Sequence, residues 1–330
     1  MRAIQIAEWT QPDQLKVTEV AAPVCGDEGV LIRVHAAALS HSLSLLVQGR
    51  YQRKPAFPFV PGNTAAGIVE AVGAKVTRHR PGDRVLASCE LGALAELVVG
   101  HQDNVYALPA GMPFDAATVF NTSYNSVAAI LTWPGVLELK SGQTLLVTGA
   151  SGGVGTAAIQ IARLLGARVI AAANGQAKRD YALAQGADVA VEGDAATLRD
   201  QVRALAADGV DAVLEPVGGA LFDAALRCLR PGGRILPIGF ASGSIPQIAA
   251  NILLVKNITV CGFYMGYYKI DARAAYADRV QALFAQLGKW WSQGLIRPDV
   301  TSRVRLDEVG AAFSKALDRS HLGHVVVVIP

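Results

Sequence analysis

The amino-acid sequence predicts an α/β protein in which a doubly wound parallel sheet is joined to a partly closed β-barrel domain. The first observation is a strand, glycine turn, helix and strand over residues 144–173, the length that a right-handed crossover needs. The second is a series of short alternating strands before residue 120. The third is the length of 330 residues, which exceeds what one core usually holds, so two domains are expected.

The first part of the chain favours β structure because short runs with alternating hydrophobicity are separated by Gly, Pro, Asn and Asp. From Ala116 the pattern becomes helical, and strands then alternate with helices. The predicted strands are 2–6, 15–20, 30–36, 66–72, 83–87, 95–99, 144–148, 168–173, 210–214, 234–238, 257–263 and 324–329. The predicted helices include 156–165, 221–229 and the charged amphipathic helix 272–293. We expect a discontinuous domain of residues 1–122 and 267–330 around a domain of residues 123–266.

The glycine turn between the strands 144–148 and 168–173 predicts a dinucleotide site. A helix N-terminus offers free N–H groups and a positive dipole end to a pyrophosphate, provided that no side chain blocks it. Gly152 allows the phosphates to approach, and Gly155 allows the helix to pack on the strand, although Ala150 replaces the first glycine of the G-x-G-x-x-G pattern. The predicted contacts are Gly149, Ala150, Ser151, Gly152, Gly153 and Val154. The alternative is a glycine-rich turn that binds nothing.

The end of the strand 168–173 indicates NADPH as the cofactor. NAD sites usually place an acid there for the ribose 2′-hydroxyl, whereas this strand ends in Asn174 and is followed by Lys178 and Arg179. Lys and Arg pair with phosphate oxygens, so all three residues are candidates for the 2′-phosphate. The alternative is that Lys178 and Arg179 form the solvated first turn of the next helix.

Composition argues against several classes of partner. The net charge of +3 is small and dispersed, which does not favour nucleic acid. No apolar stretch reaches the length of about 18 residues that a membrane span needs, and the N-terminus does not resemble a signal peptide. Cys25, Cys89, Cys228 and Cys261 stand singly, which fits a reducing compartment. We expect a soluble cytoplasmic protein without a membrane partner.

The chain resembles the medium-chain dehydrogenase/reductase superfamily along nearly its whole length, and within it the zinc-independent NADPH:quinone oxidoreductases. The resemblance implies a GroES-like barrel beside a Rossmann domain, with substrate in the cleft between them. The motifs that carry it are GRY at 49–51, PFVPG at 58–62, GIVEAVG at 67–73, PGDRV at 81–85, the turn 149–155, PVGG at 216–219, PGGR at 231–234, GFASG at 239–243 and the segment 245–260.

The resemblance also bears on metal. Zinc-dependent relatives hold catalytic zinc with a Cys, a His-Glu pair after Pro-Gly and a later Cys, whereas this chain has Ser40 at the first position and Asn63-Thr64 at the pair. His41 without partners is more often a cleft or packing residue. We expect no metal.

The expected absence of a metal bears on the class of substrate. Without a Lewis acid to stabilise an alkoxide, an alcohol is a poor substrate. Hydride transfer to a quinone or an α,β-unsaturated carbonyl is favoured, because the negative charge that develops there delocalises.

Several further residues are candidates because of the resemblance. Tyr51, Ser40, His41 and Tyr124 are candidate hydrogen-bond donors to the acceptor, and Asn125 is expected to contact the nicotinamide. The alternatives are a packed loop aromatic for Tyr51 and a buried helix residue for Tyr124. Gly239, Phe240, Ala241 and Arg319 complete the predicted cofactor contacts, with Arg319 near the 2′-phosphate or else exposed on a last helical turn.

The sequence leaves two other functions open, and it predicts an assembly. An enoyl-thioester reductase would use basic residues such as Arg50, Arg53 and Lys54 for a carrier phosphate. A nucleotide-binding sensor without turnover is a second alternative, because Ser40, Leu43 and Thr64 differ from the residues that quinone reductases usually carry at these positions. Gly193 also differs from the residue found in some members. The apolar segment 257–263 predicts pairing of sheet edges across a two-fold axis, hence a homodimer.

Overall fold

The chain folds into two compact units. The computed structural model describes residues 1–316 and 322–330. Unit 1 comprises Met1–Asn125 and Met265–Pro330, and unit 2 comprises Ser126–Tyr264. The sequence placed the corresponding boundaries after residues 122 and 266. Among the described residues, none of the helices combines the length and the apolar character that crossing a membrane requires.

The elements are labelled in chain order. The strands are β1 (Arg2–Ile4), β2 (Val17–Glu19), β3 (Gly29–Ala38), β4 (Thr64–Val72), β5 (Arg84–Ser88), β6 (Leu97–His101), β7 (Val105–Ala107), β8 (Thr144–Thr148), β9 (Arg168–Ala173), β10 (Val189–Glu192), β11 (Val210–Glu215), β12 (Leu229–Pro237), β13 (Thr259–Val260), β14 (Val300–Arg305) and β15 (His324–Val328). The α-helices are α1 (His41–Val47), α2 (Phe114–Val119), α3 (Asn125–Thr132), α4 (Gly153–Leu164), α5 (Gln176–Ala184), α6 (Leu198–Leu205), α7 (Gly219–Cys228), α8 (Ala250–Lys256), α9 (Arg273–Ser292) and α10 (Val309–Ala316). Turns of π-helix lie at Phe120–Tyr124 and Tyr267–Asp271, and 3-10 turns at Pro12–Gln14, Gln102–Asn104 and Leu306–Glu308.

Unit 1 is built on a mostly antiparallel sheet with the strand order β14-β15-β3-β4-β5-β7, in which β6 also pairs with β3. The long strand β3 pairs with β6 at its start and with β15 at its end. Its inward-facing residues, such as Val30, Ile32 and Val34, are almost fully buried, because alternate side chains of a strand face the same side. They join a core that includes Phe313 from α10. The end of this sheet at which β3 finishes and β4 begins is called the rim.

Unit 2 is a Rossmann sheet of parallel strands in the order β10-β9-β8-β11-β12-β13. The central strands β8 and β9 are predicted with the bounds that the structure shows, since each is an apolar run bounded by turn residues. The order reverses between β8 and β11. Ligands of open parallel sheets bind at such a switch point, outside the carboxyl ends of the strands.

Some predicted elements differ from the structure. The predicted strand 257–263 is reduced to β13, because Asn257 has a left-handed φ of 52° and only Thr259 and Val260 pair with β12. The helical stretch after residue 116 is interrupted by the π-helical turn Phe120–Tyr124 between α2 and α3. Strands β7, β10 and β14 were not predicted. β7 and β10 have only three and four residues, which is too short for a clear alternation, and four of the six residues of β14 are polar.

Candidate functional site

The glycine turn of unit 2 ends in a helix whose first N–H groups have no intrahelical acceptor. Thr156 N–H makes the first such bond, to the Gly152 carbonyl at 2.9 Å, so the N–H groups of Gly153, Val154 and Gly155 precede the helical ladder. The turn itself is held by Ala150 N–H, which donates to the Ala172 carbonyl at 3.2 Å. This arrangement presents several N–H donors and the positive end of the α4 dipole to an anion.

Two glycines of the turn have different roles. A Cβ at Gly155 would lie 2.6 Å from Ala150 Cα and 2.7 Å from the Gly149 carbonyl oxygen, so only glycine allows α4 to pack this closely. A Cβ at Gly152 would meet only the Gly149 oxygen, at 3.5 Å. Gly152 is therefore not needed for packing, and its missing side chain leaves the helix N-terminus open.

A buried carboxylate fixes the neighbouring turn at the end of β11. Glu215 is fully buried and accepts hydrogen bonds from Thr148 Oγ1 at 2.9 Å, from Val217 N–H at 2.9 Å and from Gly218 N–H at 2.7 Å. Burial raises the pKa of Glu215, while these three donors oppose that shift. The bond to Thr148 ties the ends of β8 and β11 together at the switch point.

The predicted segment Gly239, Phe240 and Ala241 follows β12 and lies along this turn. Ile238 N–H donates to the Glu215 carbonyl at 2.9 Å, and Ala241 N–H donates to the Pro216 carbonyl at 3.1 Å. A Cβ at Gly239 would lie 3.2 Å from the Pro216 oxygen. The structure thus brings this segment to the same carboxyl edge of the sheet as the residues Gly149 to Val154.

The end of β9 carries the predicted cations together with an acid that the sequence analysis missed. Arg179 forms an ion pair with Glu192, the last residue of β10, and Glu192 also accepts from Gly175 N–H at 3.0 Å. Glu192 pairs with Ala173 in the sheet register, so it reaches the strand end from the neighbouring strand. Asn174 is exposed, and a Cβ at Gly193 would lie 2.4 Å from its Oδ1. Lys178 precedes Arg179 in α5 and is half-buried.

The predicted donors Ser40 and His41 lie at one end of the unit 1 sheet. Ser40 is the N-cap of α1, and its Oγ accepts from Leu43 N–H at 3.2 Å. The last pairs between β3 and β4 include Ala37 with Ala65, so the residues that follow β3 lie at the same rim as Asn63, which precedes β4. His41 is exposed, and partial desolvation and then the Arg50 guanidinium lower the pKa of its imidazole.

The two candidate tyrosines have different surroundings. Tyr51 is half-buried and packs against the hydrophobic core of unit 1. Tyr124 has no exposed surface, lies 5.6 Å from the Phe120 ring centroid, and donates from its hydroxyl to the Arg297 carbonyl at 3.4 Å. Tyr124 is thus buried, and its role as a hydrogen-bond donor to the acceptor stays a prediction. Arg319 lies outside the described residues.

A chain of buried polar groups in unit 1 was not predicted. The Lys269 ammonium is 5% exposed and donates to Asn121 Oδ1, which also accepts from Asn125 Nδ2 at 3.3 Å. Asn121 Nδ2 donates to Thr64 Oγ1 at 2.6 Å, and Thr64 donates to Asn63 Oδ1 at 3.1 Å. These residues come from three distant parts of the chain, so no local pattern could have joined them. We call Lys269, Asn121, Thr64 and Asn63 the polar chain.

The residues at this rim do not form a zinc site. Zinc requires thiolate, imidazole or carboxylate ligands, whereas Ser40, Asn63 and Thr64 offer hydroxyls and an amide that already make the hydrogen bonds above. Burial raises the pKa of Cys89 to about 12, which disfavours its thiolate. Within residues 1–316 and 322–330, no group of three or more His, Cys, Asp and Glu side chains is placed to hold a metal ion. The donor set therefore does not fit zinc.

The fold and the switch-point turn define a dehydrogenase-type oxidoreductase, and comparisons with known proteins agree. The family model described as "Zinc-binding dehydrogenase" matches residues 153–283, and the one described as "Alcohol dehydrogenase GroES-like domain" matches residues 26–110. Unit 1 is thus the GroES-like domain, and the predicted fold class is confirmed.

Individual relatives identify the family. "Quinone oxidoreductase-like protein 2" of Rattus norvegicus is 33% identical over 328 residues, which cover 99% of this chain and 91% of that protein. A probable oxidoreductase from Mycobacterium abscessus has 32% identity and a TM-score of 0.87, covering 100% of this chain and 99% of the other. The quinone oxidoreductase from Thermus thermophilus, solved also in complex with NADPH, has 30% identity and a TM-score of 0.82 over 100% of both chains. The chain belongs to the quinone oxidoreductase family of medium-chain dehydrogenases/reductases, as predicted.

Proposed function

We propose that the chain transfers a hydride from NADPH to a quinone or to the β-carbon of an α,β-unsaturated carbonyl compound. The chain is an NADPH-dependent oxidoreductase, in line with relatives such as the Thermus thermophilus enzyme. The observation that carries the proposal is the open N-terminus of α4 at the switch point, which Gly152 leaves accessible to a pyrophosphate.

The cofactor contacts follow from the carboxyl edge of unit 2. The N–H groups of Gly153 and Val154 would hold the pyrophosphate, with Gly149, Ala150 and Ser151 shaping the turn. Asn174, Lys178 and Arg179 would hold the 2′-phosphate, and the segment 239–241 would lie toward the nicotinamide. Asn125 is buried and stays a predicted nicotinamide contact. When bound, NADPH supplies the hydride, and the protein orients it and excludes water.

The acceptor class follows from the chemistry of the rim. Because the donor set does not fit zinc, no Lewis acid stabilises an alkoxide, and an alcohol–ketone pair is disfavoured. A quinone or an enone spreads the developing negative charge, so a hydrogen-bond donor suffices. Ser40, His41 and Tyr51 are the candidate donors from the sequence that lie at least partly exposed.

The alternative thioester substrate gains no support from the basic loop. Arg53, one of its three predicted phosphate contacts, pairs with Glu90 at 3.1 Å and with Asp271 at 2.5 Å. These carboxylates offset the charge that a carrier phosphate would need. Acyl thioesters therefore enter the test below as a comparison class of acceptor.

We also propose a reducing, cytoplasmic setting and a homodimer. The four cysteines are free, which fits a reducing compartment. The edge strand β13 follows α8, on which the apolar residues Leu254 and Val255 are each 78% exposed. An edge of this kind needs cover. Light scattering at micromolar concentration should give twice the mass of the chain, and a monomer would reject the dimer.

The test of the reaction is NADPH oxidation in metal-free buffer. Quinones, α,β-unsaturated aldehydes and ketones, and acyl thioesters would be compared, with NADH beside NADPH. We expect turnover of quinones or enones with a preference for NADPH. Tight NADPH binding without oxidation by any acceptor would favour the sensor alternative instead.

A further inference from the structure

The polar chain has a direction that can be read from the groups it contains. The Asn121 amide nitrogen lies 3.4 Å from the Asn63 backbone carbonyl oxygen, which can only accept a hydrogen bond. The Asn121 Oδ1 is the acceptor of Lys269 Nζ, which carries N–H donors both as an ammonium and as an amine. The Asn121 amide is therefore oriented from both sides, and its nitrogen donates to Thr64 Oγ1.

The same reasoning orients Asn63. Thr64 is 1% exposed and its hydroxyl has one proton, which it donates to Asn63 Oδ1 at 3.1 Å. If the Asn63 amide were reversed, the Thr64 oxygen would face two N–H donors and its own proton would lack this acceptor. An unsatisfied buried donor costs about 1–3 kcal/mol. The amide oxygen of Asn63 is thus held toward Thr64 and its NH₂ group is turned away.

That NH₂ group lies at the exposed rim. Asn63 is exposed, and its Nδ2 makes no hydrogen bond to the part of the chain that the structure describes. It lies at the sheet end where β3 finishes and Ser40 caps α1, while Cys89 N–H donates to the Asn63 carbonyl at 3.0 Å from the β5 side. The backbone of Asn63 is therefore fixed between two strand ends, and its side chain is fixed by the polar chain.

The inner end of the polar chain is an enclosed lysine, which carries a charge when it is protonated. Lys269 Nζ lies 3.4 Å from Ser88 Oγ and 5.0 Å from the centroid of the Phe284 ring. Asn104 Nδ2 donates to the Lys269 carbonyl at 2.8 Å, which fixes the backbone of the lysine. A buried cation at one end of a hydrogen-bonded chain polarises the amide and hydroxyl groups beyond it, because the local dielectric is low.

We propose that Asn63 is a further catalytic residue, whose Nδ2–H donates a hydrogen bond to the acceptor oxygen, and that Thr64, Asn121 and Lys269 are positioning residues that hold it. The inference rests on the proposed function. Hydride transfer delivers two electrons and one hydrogen to one quinone oxygen or to the enone β-carbon, and an electron pair moves through the conjugated bonds onto the other quinone oxygen or onto the enone oxygen. Asn63 stabilises that oxygen without giving up its proton. A proton from water then completes the quinol or the saturated carbonyl, and NADP⁺ is released.

Substitutions of Asn63 test the donor. Asn63→Ala removes the NH₂ group, and Asn63→Asp replaces it with an anionic oxygen while keeping an acceptor for Thr64. Loss of one such donor typically lowers kcat by about 100-fold or more. We expect a loss of that size for Asn63→Ala and a larger one for Asn63→Asp, with the Kd for NADPH unchanged. Asn63→Asp keeps an acceptor for the buried Thr64 hydroxyl and should keep the wild-type melting temperature, whereas Asn63→Ala removes that acceptor and should lower the melting temperature. Gln11→Glu, an exposed amide of unit 1, is the matched control and should keep wild-type kcat.

Substitutions of Thr64 test the positioning. Thr64→Val breaks the bond that orients the amide, whereas Thr64→Ser retains it. We expect Thr64→Val to lower kcat about tenfold, which corresponds to about 1.4 kcal/mol. Thr64→Ser should keep the wild-type kcat. If Thr64 had a purely structural role, Thr64→Val would lower the melting temperature and leave kcat intact.

Three outcomes would contradict the inference at different levels. A wild-type kcat for Asn63→Ala would overturn the catalytic role of Asn63. A large loss for Asn63→Ala with no change for Thr64→Val would overturn the positioning role alone. Absence of turnover by the wild-type protein with every acceptor would reject the proposed function and the inference with it.

Discussion

The glycine turn of unit 2 and the rim of unit 1 offer different kinds of hydrogen-bond donor to a ligand. At the glycine turn of unit 2, the groups offered to a ligand are backbone N–H donors, and the residues matter because they lack side chains. At the rim of unit 1, the group offered is one side-chain amide, and residues from distant parts of the sequence orient it. The first region is a property of local geometry, while the second depends on tertiary structure. Substitutions should therefore act differently on the two.

The sharpest test of the rim region is Lys269→Met, which removes the buried charge. Burial lowers the pKa of Lys269 from 10.5 to about 7. In the unfolded chain this lysine keeps its proton to about pH 10.5, so unfolding between these values takes up a proton and stability rises with pH. Below pH 7 both states are protonated and the folded protein carries the full cost of the buried charge. We expect the stability of the wild type, relative to Lys269→Met, to rise by up to about 5 kcal/mol from pH 7 to 10.5.

Chemical denaturation across this pH range would measure the difference. The Tyr106 ring centroid lies 6.0 Å from Lys269 Nζ, and Cys89 follows Ser88, whose Oγ lies 3.4 Å from that nitrogen. Burial raises the pKa of both Tyr106 and Cys89, but both groups are present in wild type and variant alike. Lys16→Met removes an exposed lysine of the same unit and should leave the pH dependence unchanged. If the unfolding free energies of wild type and Lys269→Met changed with pH in the same way, Lys269 would not carry a buried charge. At pH 7, Lys269→Met should also lower kcat without loss of stability.

The glycine turn should respond to a pair of alanine substitutions. Gly155→Ala places a Cβ 2.6 Å from Ala150 Cα, and such overpacking costs about 1–3 kcal/mol of unfolding free energy. Gly152→Ala finds room, with its nearest neighbour at 3.5 Å, so its stability should stay within about 0.5 kcal/mol of wild type. Its methyl group would instead narrow the approach to α4, and we expect the Kd for NADPH to rise about tenfold.

Thermal unfolding and fluorescence titration with NADPH separate these two effects. An unchanged NADPH affinity in Gly152→Ala would contradict the role of Gly152, because the missing side chain would then not be needed for NADPH to approach α4. Equal destabilisation by both substitutions would show that Gly152 is a packing residue as well.

These two regions also differ in how much the sequence reveals. The strands β8 and β9 and the glycines between them form one contiguous pattern, so their positions could be predicted. Lys269 lies in a stretch that resembles the start of a charged helix, and nothing in that stretch indicates that Asn121 or Thr64 is near it. Glu192 was missed for a related reason: it belongs to β10, and only the register with β9 brings it to Arg179. Side-chain networks depend on tertiary contacts, which a single sequence does not display.

The ion pair at the end of β9 gives a smaller prediction for cofactor preference. Glu192 pairs with Arg179 and would also lie near a bound 2′-phosphate, so it competes for the cation and repels the ligand. Glu192→Gln should raise the affinity for NADPH about fivefold, or about 1 kcal/mol, and leave NADH unchanged. Asp180→Asn makes the same change of charge on the exposed face of α5 and is the control. Unchanged NADPH affinity in Glu192→Gln, measured by titration, would place the 2′-phosphate elsewhere.

The smallest expected effect concerns His41, which shares the rim with Asn63. Partial desolvation and Arg50 lower the pKa of its imidazole, so at pH 7 the ring is neutral and holds no surplus proton for the acceptor. A glutamine at this position keeps an N–H donor, and we therefore expect His41→Gln to leave kcat within about twofold of wild type, or about 0.4 kcal/mol. The ratio of kcat in the two proteins should also stay constant from about pH 5 to 8. A tenfold loss, or a pH-dependent ratio, would make His41 rather than Asn63 the donor at this rim.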